Sequence, residues 1–259
     1  SLPDATRVFP GHGAGSACGK NLSTETSSTI GDQRRTNYAV KLPDKETFIG
    51  LITEGQPTAP EYFSHDAVLN RSDHALLDED EPPAGLLLAD LDAAVQGGAV
   101  VVDGRDPEEF ARGHVVGSIN IGLNGRYAEF AGSILPVDAD IVLVVDPGSE
   151  LEAKNRLARI GLDRVVGNLV DPYAVMQARP GRVATASRLT ADMLADRLSD
   201  VDDLQLVDVR SPGECDTSGV IPGSVNLPVP VVRARMGELS PGRPTVVYCS
   251  GGYRSSVVA

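Results

Sequence analysis

Near the end of the chain a β-branched run, Thr245-Val246-Val247-Tyr248, delivers a cysteine into Cys249-Ser250-Gly251-Gly252-Tyr253-Arg254-Ser255-Ser256. A strand, a glycine-rich loop and a first helical turn through Ser255-Ser256-Val257-Val258-Ala259 would set the sulfur at the mouth of a ring of backbone N–H groups. Such a ring binds anions. Together with the positive end of the helix and the Arg254 guanidinium it favours thiolate over thiol, and sites of this kind bring a cysteine pKa from about 8.5 down to roughly 3.5–7.5. The thiolate is the nucleophile, and the strand before it and the helix after it are the elements that must position it. A buried strand cysteine beside a turn is the alternative, but it leaves Gly-Gly-x-Arg with nothing to do in a core.

Loop length decides what the nucleophile attacks. Four residues separate Cys249 from Arg254, whereas the tyrosine-phosphatase loop is one residue longer and forms a wider cradle fitted to phosphate. The segment Cys249 to Ser255 resembles the active loop of rhodanese-type sulfurtransferases. That resemblance implies that Cys249 takes up a sulfane sulfur as a persulfide and that Arg254 orients the anionic donor. It also implies that Ser250, Gly251, Gly252, Tyr253 and Ser255 cradle the persulfide, and that this domain needs no cofactor. The implied partners are small-molecule sulfane-sulfur donors, low-molecular-weight persulfides ahead of thiosulfate, and thiol acceptors.

A second block upstream supports this. Leu206-Val207-Asp208-Val209-Arg210-Ser211-Pro212-Gly213-Glu214, then Ile221-Pro222-Gly223-Ser224-Val225-Asn226-Leu227-Pro228, resemble the opening of a rhodanese domain, a buried strand, an acidic turn and a second short strand. Asp208, Arg210 and Glu214 are expected to form one local ion-pair cluster that pins the turn. Cys215 departs from the family's aromatic and reads as a small buried apolar residue. Val220 stands where the family often has His.

The chain then repeats itself. Val100-Val101-Val102-Asp103-Gly104-Arg105-Asp106-Pro107-Glu108-Glu109-Phe110 and Gly113 to Ile121 match the second block, with Asp103 and Asp208 lying 105 residues apart. Each copy opens with a helix-like segment, 88–95 and 189–198, and strand and helix alternate after it, which argues for parallel sheets. The first copy lacks the chemistry: Val145 falls where Cys249 sits, an acidic residue falls at or near the place of Arg254, and Pro147 removes an N–H from the ring. It reads as scaffold, with 151–161 an amphipathic helix ended by a glycine cap and His114 a polar edge residue.

The N-terminal stretch is of another kind. Val8-Phe9-Pro10-Gly11-His12-Gly13-Ala14-Gly15-Ser16-Ala17-Cys18-Gly19, with Ser28 to Asn37, Phe48-Ile49 and Gln56 to Phe63, resembles the last part of metallo-β-lactamase-fold enzymes of the persulfide dioxygenase and glyoxalase II group. The resemblance implies a metal position at His12 and iron or zinc in a complete domain. The principal His-x-His-x-Asp-His motif is absent, and the four histidines are His12, His65, His74 and His114. The expectation is therefore a fragment that begins partway through the metal domain and stops a few residues into the helix behind the active loop. Cys18 reads as packed or exposed.

Net charge is -13, from 23 Lys and Arg against 36 Asp and Glu, which disfavours nucleic acid and anionic membrane as partners. Six Tyr, five Phe and no Trp mean aliphatic cores. Three cysteines give no disulfide framework, no run of 18 apolar residues exists and the N-terminus is no signal peptide, which together predict a cytoplasmic protein. The expected fold is α/β, two rhodanese-like doubly wound parallel-sheet domains preceded by the C-terminal part of a metallo-β-lactamase fold. The boundaries are 1–72 for that part, 73–84 a linker, 85–180 the degenerate copy and 187–259 the catalytic copy, truncated at its C-terminus. The function read is sulfurtransfer through a Cys249 persulfide within a persulfide- or sulfide-oxidising fusion. The alternative is a metal-dependent dioxygenase or thioester hydrolase whose rhodanese-like domains regulate or bind. A homo-oligomer stays open.

Overall fold

The computed structural model describes residues 2–12, 24–54, 60, 62–73 and 77–259. Contacts divide the chain into two units, Ser1–Pro57 and Thr58–Ala259. In the first unit β1 (Arg7–Val8) pairs antiparallel with β2 (Ser28–Thr29), and α1 (Ile30–Thr36) and α2 (Lys45–Thr53) follow. Both helices start on side-chain caps: the Thr29 hydroxyl accepts from the Asp32 amide at 3.1 Å and the Asp44 carboxylate from that of Thr47 at 2.7 Å.

The second unit holds both repeats. It opens with α3 (Tyr62–Leu69), β3 (Gly85–Leu86), α4 (Leu88–Gln96), β4 (Val100–Asp103), α5 (Pro107–Arg112), β5 (His114–Val115) and β6 (Ile119–Asn120). The first copy ends with α6 (Tyr127–Ile134), β7 (Ile141–Val144), α7 (Glu150–Ala158), β8 (Val165–Leu169) and α8 (Pro172–Ala178). Next come β9 (Val183–Ala184), α9 (Ala191–Asp200), β10 (Gln205–Asp208), α10 (Pro212–Ser218), β11 (Val225–Asn226), α11 (Val232–Arg235), β12 (Thr245–Tyr248) and α12 (Tyr253–Val258). The first copy's sheet runs β3-β8-β7-β4-β6 and the second copy's β11-β10-β12, all parallel. In both copies the first strand of the motif lies between the other two, as crossover connections through helices require. The α/β class read from the sequence holds.

The strands are apolar and largely buried, as parallel strands covered on both faces must be. One core runs through both copies: Val102, Tyr127, Phe130 and Leu143 of the first join Val207, Leu227 and Val257 of the second. The segment between the copies is tied in as well, since β9 pairs antiparallel with β5, His114 opposite Ala184. Among the described residues no helix is long and apolar enough to cross a membrane.

Helix α3 lies inside the 1–72 stretch by sequence, yet the contacts divide the chain after Pro57 and set this helix on the first copy. Tyr62 is buried in one apolar cluster with Phe130 and Ile134, and a Cβ at Gly132 of α6 would overlap its ring. The acidic stretch also docks. Lys154 Nζ donates to the Asp78 and Glu81 carbonyls at 2.9 and 2.6 Å, and Asn155 Nδ2 to that of Glu79 at 2.8 Å, so α7 holds it by its backbone. Gly132→Ala is expected to lower stability by ~1–3 kcal/mol in urea unfolding, because overpacking against Tyr62 outweighs alanine's helical preference. An unchanged midpoint would show that Tyr62 does not occupy this place.

Candidate active site at Cys249

β12 pairs with β10 so that Tyr248 lies opposite Asp208, and the chain leaves the sheet at Cys249 on the carboxyl ends of the strands, where open parallel sheets hold ligands. The thiol is partly buried. The Gly252 amide donates to its Sγ at 3.1 Å, and Ser255 Oγ lies 3.7 Å away. That geometry requires φ +84° at Gly252, left-handed backbone that a side chain would strain. Burial alone would push the Cys249 thiol up, but hydrogen bonds from the Ser255, Gly251 and Gly252 amides and the Ser255 hydroxyl outweigh it and hold the thiol below the ordinary cysteine range.

Arg254 is committed. Its Nη1 and Nη2 grip Glu214 at 2.5 and 2.8 Å, and Nη2 also reaches Ser250 Oγ at 3.3 Å. The same pairing, against a smaller opposing push from burial, brings the Glu214 carboxyl down to about 2. A depressed carboxyl contributes stability above its unfolded value of 4.5 and loses it as pH falls through about 2, so the pair stands throughout the neutral range. The expected Asp208, Arg210 and Glu214 cluster is thereby corrected. Arg210 fills its fork with Asp208, at 2.9 and 2.6 Å, and with the Gly219 carbonyl at 2.8 Å. Glu214 is instead fixed at the third position of α10 by its reciprocal cap with Ser211, on the side that meets the loop.

Tyr253 also departs from the cradle set Ser250, Gly251, Gly252, Tyr253 and Ser255. Its hydroxyl donates to the Gly122 carbonyl of the first copy at 2.6 Å, and its ring lies 5.7 Å from that of Phe130. A Cβ at Gly125 would overlap the same ring. Three residues on, the Ser256 hydroxyl donates to Asn120 Oδ1 at 2.6 Å. The active loop is thus moored to the first copy at two points, and nothing local in the sequence marks Asn120, Gly122 or Glu214 as partners.

The first copy repeats the frame without the thiol. Arg105 grips Asp103 and the Gly113 carbonyl as Arg210 grips Asp208 and Gly219, and Asn120 and Asn226 each donate to the backbone of the preceding turn. The register sets Val145, buried, at the place of Cys249, and Glu150 at that of Arg254. Gly148 keeps its left-handed φ of +91°, but its amide donates to Glu150 Oε2 at 2.9 Å. The turn carries its own anion. His114 is buried, stacked on Phe110 at 3.8 Å with Nδ1 2.8 Å from the Phe110 carbonyl, a packing position in β5.

Beside Cys249 opens a cavity of about 360 Å³, walled by Arg210, Gly219, Val220, Ile221 and Tyr248. Tyr248 is braced there by accepting from the Ile221 amide at 3.1 Å and donating to Ser224 Oγ at 2.9 Å. Cys215 is buried; it is not purely apolar, since its thiol donates to Asp208 Oδ2 at 3.5 Å, and burial together with Asp208 pushes it up. His12 is exposed, and among the described residues no three His, Cys, Asp or Glu side chains group as metal ligands. The described residues do not make up a site that fits iron or zinc. Cys18, His74, residues 55–59 and Glu61 lie outside the described residues.

The model of the rhodanese-like domain matches residues 87–173 and 190–259, both copies. The chain belongs to the rhodanese-like family. A sulfurtransferase of Allochromatium vinosum is 38% identical over 69 residues, which is 27% of this chain and 64% of that protein. The chain thus spans under two thirds of the length of this curated relative. A metallo-β-lactamase of Staphylococcus aureus aligns with 64% of this rhodanese-like chain and 45% of its own, at 30% identity and TM-score 0.49. A thiosulfate sulfurtransferase of Pseudomonas aeruginosa aligns with 67% and 37% respectively, at 21% identity and TM-score 0.34.

Iodoacetamide should label Cys249 with a pH midpoint below the ~8.5 of a free cysteine, while Cys215 stays unlabelled until the chain unfolds. Gly252→Ala, which strains the turn that brings the amides to the sulfur, should move the Cys249 midpoint upward. Mass mapping of the labelled peptides across pH checks both.

Proposed function

We propose that the chain is a sulfurtransferase that carries sulfane sulfur on Cys249. What supports this is the depressed thiol at the mouth of a cavity, held by three backbone amides, on a loop whose counterpart in the first copy has neither the sulfur nor a free anion cradle. The Cys249 thiolate attacks the outer sulfur of a persulfide R–S–SH. The donor's S–S bond breaks, R–S⁻ leaves, and a Cys249 persulfide forms. An acceptor thiolate then attacks the outer sulfur, the new S–S bond breaks on the enzyme side, and the Cys249 thiolate returns with no net oxidation.

In this reading Ser250, Gly251, Gly252 and Ser255 surround the carried sulfur. Arg254 shapes the loop through Glu214 and Ser250 and completes the field around the thiolate. Tyr253 anchors the loop to the first copy, which serves as scaffold. The cavity is of the size that small-molecule sites have, so low-molecular-weight persulfides are the proposed donors and small thiols the acceptors, in the cytoplasm. Residues 1–72 are read as the C-terminal part of a metallo-β-lactamase-like domain, and a persulfide-oxidising fusion as the setting.

Incubation with a persulfide or thiosulfate should add one sulfur to a peptide containing Cys249, seen by intact mass and peptide mapping. Cys249→Ser should abolish that gain with the fold intact, because an alcohol of far higher pKa is not ionised by the same amides. Transfer retained in Cys249→Ser but lost in Cys215→Ala would sink the assignment. In the Cys249→Ser background, Val145→Cys should gain no sulfur, since Glu150 holds the Gly148 amide and the neighbouring carboxylates oppose a thiolate. A sulfur at position 145 would show that the first copy keeps a working cradle.

A further inference from the structure

Three guanidinium groups stand beside the Cys249 loop, and two are neutralised. Arg210 is paired with Asp208, and Arg254 gives both terminal nitrogens to Glu214. Arg188 is different. It lies in the segment between β9 and α9, it is exposed, and it has no ion pair or hydrogen bond among the described residues. Its Nη2 hangs over the active loop: a Cβ on Gly252 would lie 2.6 Å from it. Gly252 is the residue whose amide holds the Cys249 sulfur at 3.1 Å.

We propose that Arg188 is a specificity-determining residue that admits anionic sulfur donors, holding a carboxylate or sulfonate of the donor while its sulfane sulfur meets Cys249. The proposal rests on the sulfurtransferase reading of that cysteine. A chain of net charge -13 repels anions at long range, so an unpaired cation at the mouth of the loop decides whether they approach. A guanidinium presents a fork of N–H donors matched to two oxygens of such a group. Arg188 also borders a groove of about 300 Å³ with Ala111 and Ala186, room for the body of a small donor beyond its anionic end. Glu108 and Arg112 on the same groove pair with each other at 3.7 Å, and Arg112 is held by Glu109 as well, which leaves Arg188 as the unpaired cation there.

The test compares alkylation of Cys249 by iodoacetate, an anion, and by iodoacetamide, its neutral analogue, in the full chain. The ratio of the two rate constants cancels any change in the thiolate itself. At low salt, Arg188→Gln should lower the ratio about fourfold, the effect of one unit charge roughly 5 Å away through a water-like medium. Arg188→Lys should keep most of the ratio, Arg188→Glu should lower it further, and high salt should shrink all the differences. An identical ratio in the wild type, Arg188→Gln and Arg188→Glu would overturn the proposal, and normal sulfur uptake beside it would leave the sulfurtransferase reading standing. A lowered ratio in a protein whose Cys249 takes up no sulfur would uphold Arg188 as the anion-admitting group and overturn the transfer reading alone.

Discussion

A thiolate drawn partly out of water must be given hydrogen-bond donors, or it takes up a proton. At Cys249 burial opposes the anion, and the amides of Ser255, Gly251 and Gly252 reverse the balance. Those amides converge only while Gly252 keeps its left-handed turn, and a turn of this kind is held by what flanks it. On one side Arg254 bridges Ser250 to Glu214 of α10. On the other, Tyr253 and Ser256 reach into the first copy at Gly122 and Asn120. The shared apolar core fixes the distance between the copies, and so fixes the loop that both copies hold.

Comparison of the copies separates what the fold needs from what the chemistry needs. The Asp103–Arg105 and Asp208–Arg210 pairs make the same bonds to the same carbonyl positions, Gly113 and Gly219, although only one copy carries a thiol. A buried pair that stands alike with and without the thiol belongs to the turn. Breaking such a pair by removing one partner leaves an uncompensated charge, at a cost of several kcal/mol. What changes between the copies is the loop, Val145 for Cys249 and Glu150 for Arg254. That second exchange matters as much as the first, because Glu150 turns back on the Gly148 amide and a cradle for foreign anions becomes a turn that satisfies itself.

The sequence disclosed what lies within a few residues of itself. The alternation of apolar strands and helices, the duplication, the glycine-rich loop and the thiol at a strand's end all rest on local patterns, and each stands in the structure. The mooring of the loop does not rest on such patterns. Arg254 meets Glu214 from 40 residues away, Tyr253 meets Gly122 from 131, and Ser256 meets Asn120 from 136. Glu214 looked like a neighbour of Arg210 because it lies four positions along the chain, but helix capping by Ser211 turns it toward the loop instead. Tyr253 looked like part of the cradle because it lies within the motif, yet an aromatic ring of its size finds its buried surface against Phe130. Spacing along a chain says which groups can share a turn. Which groups share a site is decided by the core that brings distant turns together, and here that core spans two copies of one fold, of which the one without the thiol holds the loop of the other.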